Sequence, residues 1–273
     1  MSRIAATFER LRAGRRAALV PFVTAGDPTP AHTIAMLRAL VANGADVVEL
    51  GVPFSDPMAD GPTIQRASER ALRAGTGLAM ILDAVKQYRR EDDRTPIVLM
   101  GYANPVEHMG IASFASRAKD SGVDGVLIVD YPPEESGAWV QALAGAGIDP
   151  IFLLAPTSSE ARIDLVSRMA KGYIYYVSLK GVTGSAHIDT ADVERMLARI
   201  RARTAVPVGV GFGIRDPQTA RAIARFADAV VIGSRIVEEI ERAEPDQAAA
   251  RAGALLAEFR AGIDAAVGDR AAA

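Results

Sequence analysis

A single carboxylate stands inside a run of apolar residues. The segment VVELGV (47–52) is otherwise continuously apolar, and Glu49 interrupts it. In a strand, Glu49 would point opposite to Val48 and Leu50, hence inward if those two face a layer of helices. A carboxyl buried there loses the hydration of its charged form, so its pKa rises. It can then give and take a proton near neutral pH. The plainer alternatives are an edge strand or an interior acid neutralised by a cation.

The next segment, PFSDPMADGPT (53–63), is dense in Pro, Asp and Gly. Asp60 is open to two readings. It can cap the helix that Pro62 initiates, or it can act as a second catalytic carboxylate.

A third group of residues is glycine-rich: Gly181-Val-Thr-Gly184, Gly209-Val-Gly-Phe-Gly213 and Gly233-Ser234. Glycines let backbone N–H groups approach an anion closely. Gly233-Ser234 runs into RIVEE, a short helix whose N-terminus suits a phosphate. Turn or packing glycines are the plainer reading. GVGFG has GxGxG spacing rather than GxGxxG, which argues against a dinucleotide site.

Other candidates are weaker. His32, His108 and His187 lack metal-ligand spacing. Lys180 sits in a glycine-rich loop rather than within a strand, which disfavours a Schiff base. Phe22, Tyr102, Tyr175 and Phe212 lie at strand ends and suit either a core or an aromatic pocket. Trp139 reads as packing.

These residues need elements to hold them. Eight apolar, β-branched-rich runs recur, at 18–24, 47–52, 97–102, 125–130, 150–155, 173–178, 206–212 and 229–234. Such runs suit strands buried on both faces. Amphipathic stretches between them, as at 30–43, 78–88 and 190–200, read as surface helices. Several end at a glycine: Gly44, Gly75 and Gly122. Strand alternating with helix throughout gives a parallel sheet. The expected fold is α/β, one (β/α)8 barrel spanning 1–273. It carries an extra helix at 2–13, another after strand two (63–74), and more after strand eight (235–240, then about 246–267). Active sites of such barrels lie at the C-terminal strand ends, where the loops after strands seven and eight commonly bind phosphate. Glu49 and all three glycine groups fall there.

The 273 residues fit one such barrel, with 49% apolar and 23% charged residues. Net charge is −2, with 31 basic and 33 acidic residues interspersed, so no basic face is expected for nucleic acid or membrane. The absence of cysteine excludes disulfides and thiolate sites and fits a reducing cytosol. No signal peptide or membrane span is expected.

The segment ELGVPFSDPMADGPTIQ (49–65) closely resembles the signature of tryptophan synthase alpha subunits. PFVTAGDP (21–28), GYANPV (101–106), DYPPEES (130–136), GVTG (181–184), GFGI (211–214) and IGS (232–234) follow in the family's order. The resemblance covers residues from about 4 to 265. It implies cleavage of indole-3-glycerol phosphate to indole and glyceraldehyde 3-phosphate, with Glu49 and Asp60 as the catalytic acids and no metal or cofactor in this chain. It assigns phosphate to the backbone of Gly184, Gly213, Gly233 and Ser234 and to the Ser234 hydroxyl. The indole pocket falls to Phe22, Met100, Leu127, Tyr175 and Phe212, with Thr183 in a closing loop near Asp60. It further implies a cytoplasmic αββα assembly, in which a beta subunit receives indole internally and joins it to serine using pyridoxal phosphate. Two positions depart from the commonest pattern: Ser-Leu-Lys precedes GVTG, and Val129, on the expected pocket wall, is often smaller. A synthase of the same substrate would want a lysine within a strand, and an epimerase would want histidines at strand ends.

Overall fold

The computed structural model of the chain describes residues 1–178, 189–211 and 213–270. Among these, eight parallel strands form a closed barrel in chain order: β1 (Ala18–Thr24), β2 (Val48–Gly51), β3 (Ile97–Gly101), β4 (Gly125–Ile128), β5 (Asp149–Leu154), β6 (Ile174–Val177), β7 (Val208–Gly211) and β8 (Ala229–Ile232), which pairs back onto β1. Alternation sorts their side chains into two layers. Leu19, Val48, Leu50 and Leu99 face the helices, in the large outer core. Val20, Val47, Val98, Leu127, Ile151, Tyr173, Tyr175 and Val231 fill the interior.

Local chemistry sets the helix ends. Asp216 accepts from the Thr219 N–H at 2.8 Å, ahead of Pro217, and starts the helix Pro217–Ala224. Asp189 and Ser159 cap Thr190–Arg201 and Glu160–Met169 in the same way. Gly122 ends Ile111–Ser121 in the left-handed region at φ +83°. Gly44 and Gly75 sit at positive φ one residue beyond their caps.

The expected extra helices are present as Arg3–Ala13, Pro62–Arg73, Ser234–Glu241 and Pro245–Asp264. Two short ones were not anticipated: Val267–Arg270 follows Pro245–Asp264, and Ala103–Met109 precedes Ile111–Ser121 after β3. Seven residues are too few to display a stripe, and Pro105 is tolerated because first-turn N–H groups need no intrahelical acceptor. Ser234, expected at a strand end, is instead the first residue of its helix.

Helix Arg3–Ala13 lies across the N-terminal strand ends. Its Ile4, Phe8 and Leu11 join the inner cluster, with the Phe8 ring centroid 5.9 Å from that of Tyr173. The barrel thereby has a packed floor.

Candidate active site

Glu49 lies on β2, in register with Phe22 of β1 and Val98 of β3. It is fully buried. The Tyr173 hydroxyl donates to its Oε1, while among the described residues Oε2 has no hydrogen-bond partner. Burial pushes the carboxyl pKa up to about 8, and the Tyr173 hydrogen bond offsets only part of that rise. Glu49 is therefore mainly protonated at neutral pH. Both plainer readings fail: the closed barrel gives β2 no free edge, and among the described residues no cation pairs with Glu49. Tyr173 is a site residue that sequence reasoning missed, because a tyrosine opening an apolar run reads as core.

Asp60 stands in the loop between β2 and helix Pro62–Arg73. Its Oδ2 accepts from the Tyr102 hydroxyl at 3.0 Å, and that hydroxyl accepts from the Ala59 N–H at 3.0 Å. The Gln65 amide donates to the Asp60 carbonyl at 2.8 Å. Burial raises the Asp60 pKa, and the Tyr102 hydrogen bond opposes the rise. The N-cap of the helix is Gly61, with no side-chain cap bond. Asp60 therefore does not cap it.

Both carboxylates line one cavity of about 270 Å³ at the C-terminal face of the barrel. Phe22, Ile64, Met100 and Tyr175 supply its apolar wall, and Gly213, Gly233 and Ser234 lie along it. Two glycines make the room: a Cβ at Gly51 would overlap the Phe22 ring, and one at Gly211 would overlap the Tyr175 hydroxyl. Leu127 does not line the cavity. It is fully buried in the inner cluster, with Met100 and with Val129, the residue just after β4, packed against that cluster. Val129 itself bounds a small recess beside Asp60, Met100 and Tyr102. Thr183, Gly184, Phe212 and Lys180 lie outside the described residues.

The polar part of the cavity suits an anion. Gly233 is the N-cap of helix Ser234–Glu241, so the free N–H groups of that helix's first turn open onto the cavity. Gly213 adopts φ +77°, a conformation that favours glycine. Arg215 and Arg235 also line the cavity and had gone unread, since neither belongs to a motif. They pair with Glu238 at 2.6 Å and Glu239 at 3.0 Å respectively.

Trp139 packs in the outer core, stacked on Phe114 at 5.5 Å between centroids. His32 bonds Thr29 and Asp246. Among the described residues no group of three or more His, Asp or Glu side chains could hold a metal, and no helix is long and apolar enough to cross a membrane.

A sequence model described as tryptophan synthase alpha chain matches residues 8–264. The tryptophan synthase alpha chain of Burkholderia pseudomallei is 59% identical over 266 residues, spanning 97% of this chain and 98% of its own length. That of Methylibium petroleiphilum is 60% identical over 264 residues, 97% of each chain. The crystal structure of tryptophan synthase subunit alpha from Legionella pneumophila aligns with a TM-score of 0.90 at 41% identity, covering 97% of this chain and 99% of its own. A chain of the aminoacrylate-bound tryptophan synthase of Mycobacterium tuberculosis aligns with a TM-score of 0.86 at 34% identity, covering 96% and 100%. On sequence and fold alike, the chain belongs to the tryptophan synthase alpha chain family.

Proposed function

We propose that this chain is a carbon–carbon lyase that cleaves indole-3-glycerol phosphate to indole and glyceraldehyde 3-phosphate, with Glu49 and Asp60 as its catalytic groups. The observation that carries the reading is a fully buried carboxyl with an unpartnered oxygen, its pKa raised by burial, in the same cavity as a helix N-terminus suited to phosphate.

The chemistry follows from those groups. Glu49 protonates indole C3, which turns the ring into an iminium-like electron acceptor. Asp60 accepts the hydrogen bond of the indole N–H and stabilises the positive charge there. The bond between C3 and the glycerol carbon then breaks, and its electron pair returns to the ring. The hydroxyl on the departing carbon becomes the aldehyde and gives its proton to the Glu49 carboxylate, which restores the acid. Gly213, Gly233 and Ser234 hold the phosphate, together with Gly184. Binding energy from this remote group fixes the geometry at the reacting bond. Phe22, Met100 and Tyr175 flank the indole.

The assembly implied is αββα and cytoplasmic. The partner beta chain receives indole internally and joins it to serine with its own pyridoxal phosphate. The test is indole release from indole-3-glycerol phosphate by the purified chain, alone and with a beta chain. Slow release alone and faster release with the partner are expected; no indole under either condition would refute the reading.

Tyr102 positions Asp60, so Tyr102→Phe should lower turnover about 3- to 10-fold, the worth of one hydrogen bond. Steady-state kinetics check this, and wild-type turnover would remove Tyr102 from the site's support.

A further inference from the structure

Three segments that bound the cavity are tied together behind it. Asp27, in the turn after β1, is buried at 2% exposure. Arg70 of helix Pro62–Arg73 donates to both its carboxylate oxygens, at 2.8 and 2.9 Å. The same guanidinium donates through Nη1 to Glu241 at 2.7 Å. Arg66, one turn earlier, holds Glu241 by two bonds of 2.7 Å. Glu241 is the last residue of helix Ser234–Glu241. A carboxylate at a helix C-terminus opposes the helix dipole. Its position there depends on the two guanidiniums, which hold its pKa down at about 2.

The front ends of the same two helices meet at the cavity. Gly61 and Ile64 from the first, and Gly233, Ser234 and Arg235 from the second, all line it. Ile64, Ala67, Phe22 and Val237 form a small apolar cluster shared by β1 and the two helices. Asp60 precedes Pro62 by two residues and is bonded through its carbonyl to Gln65, so a shift of the helix moves Asp60 with it. Half-exposed ion pairs contribute little to stability, but a bidentate arginine on a buried carboxylate fixes orientation.

We propose that Arg70 is a positioning residue for the lyase reaction: by clamping helix Pro62–Arg73 to Asp27 and to Glu241, it sets the distance between Asp60 and the phosphate seat at Ser234. The inference rests on the reading of Asp60 and of the phosphate seat given above. A substrate anchored by its phosphate then meets Asp60 at a fixed place, and loosening the clamp misplaces the two relative to each other without removing either.

The test is a pair of double-mutant cycles. Removing Arg70 leaves Asp27 buried and unpaired, which endangers folding. Glu241→Gln, which weakens only the link between the helices, therefore accompanies Arg70→Met, and circular dichroism verifies the fold of each. Both variants should lower kcat by about tenfold to a hundredfold, the usual cost of a small misplacement. The Kd for glycerol phosphate should stay within about threefold, because the phosphate seat is intact. Arg70→Lys, a single point charge, should recover part of the rate. In an Asp60→Asn background neither Arg70→Met nor Glu241→Gln should cause further loss, since both act through Asp60. Equal losses in both backgrounds, or unchanged kcat in folded Arg70→Met and Glu241→Gln, overturn the proposal alone. Full turnover by Asp60→Asn overturns the reading of Asp60 and the proposal with it.

Discussion

Glu49→Gln should lower indole release by about 10²–10⁴-fold, toward the upper end, because one carboxyl serves as both the proton donor and the later acceptor. The amide is nearly isosteric with the protonated acid and can still accept from the Tyr173 hydroxyl, so the cavity keeps its shape. Glycerol phosphate should therefore bind to the variant as it does to the wild type. Steady-state release of indole and calorimetric binding of glycerol phosphate check the two halves separately. Turnover within about tenfold of wild type would sink the mechanism. Loss of both activity and binding would point to a damaged fold.

The same substitution should change how stability depends on pH. Burial raises the Glu49 pKa from the ordinary 4.5 to about 8 in the folded chain. The folded state thus binds this proton more tightly than the unfolded state does. Its contribution is fully present below about pH 4.5 and is lost as pH rises through about 8. At roughly 1.4 kcal/mol per pH unit, such a rise corresponds to a contribution on the order of a few kcal/mol. Burial also raises Asp46, Asp60 and Asp149, which adds to the slope in the same direction. The difference between wild type and Glu49→Gln isolates one group. In urea unfolding series, the variant should gain on the wild type from about pH 5 to about pH 8 and level off above that. Parallel curves would mean that Glu49 titrates in the folded chain as it does in the unfolded one.

Much of the fold was legible because the strands are buried on both faces and read as unbroken apolar runs. Strand alternation was enough to aim Glu49 inward, since Val48 and Leu50 do face the helices. Boundaries were less legible where backbone chemistry overrides apolar pattern. Strand seven was expected from 206 but begins at Val208, directly after Pro207, which has no N–H to give the ladder. Depth along the barrel could not be read at all. Leu127 and Tyr175 look alike as inward strand residues, yet only Tyr175 reaches the cavity. Tyr173 and the Arg66–Arg70–Glu241 clamp were invisible for another reason: their partners lie 124 and 171–175 residues away in the chain. Asp60 was ambiguous because capping and catalysis ask for the same residue type. Gly61 at the N-cap, with no side-chain bond, resolves the first half of that ambiguity.

The helix Arg3–Ala13 beneath the barrel also has a bearing on traffic. With Ile4, Phe8 and Leu11 wedged among the lowest interior side chains, the reaction chamber is a cul-de-sac. Among the described residues that end of the barrel is packed shut, and the cavity lies at the opposite end. A partner seated over that end could capture a departing apolar product before water does.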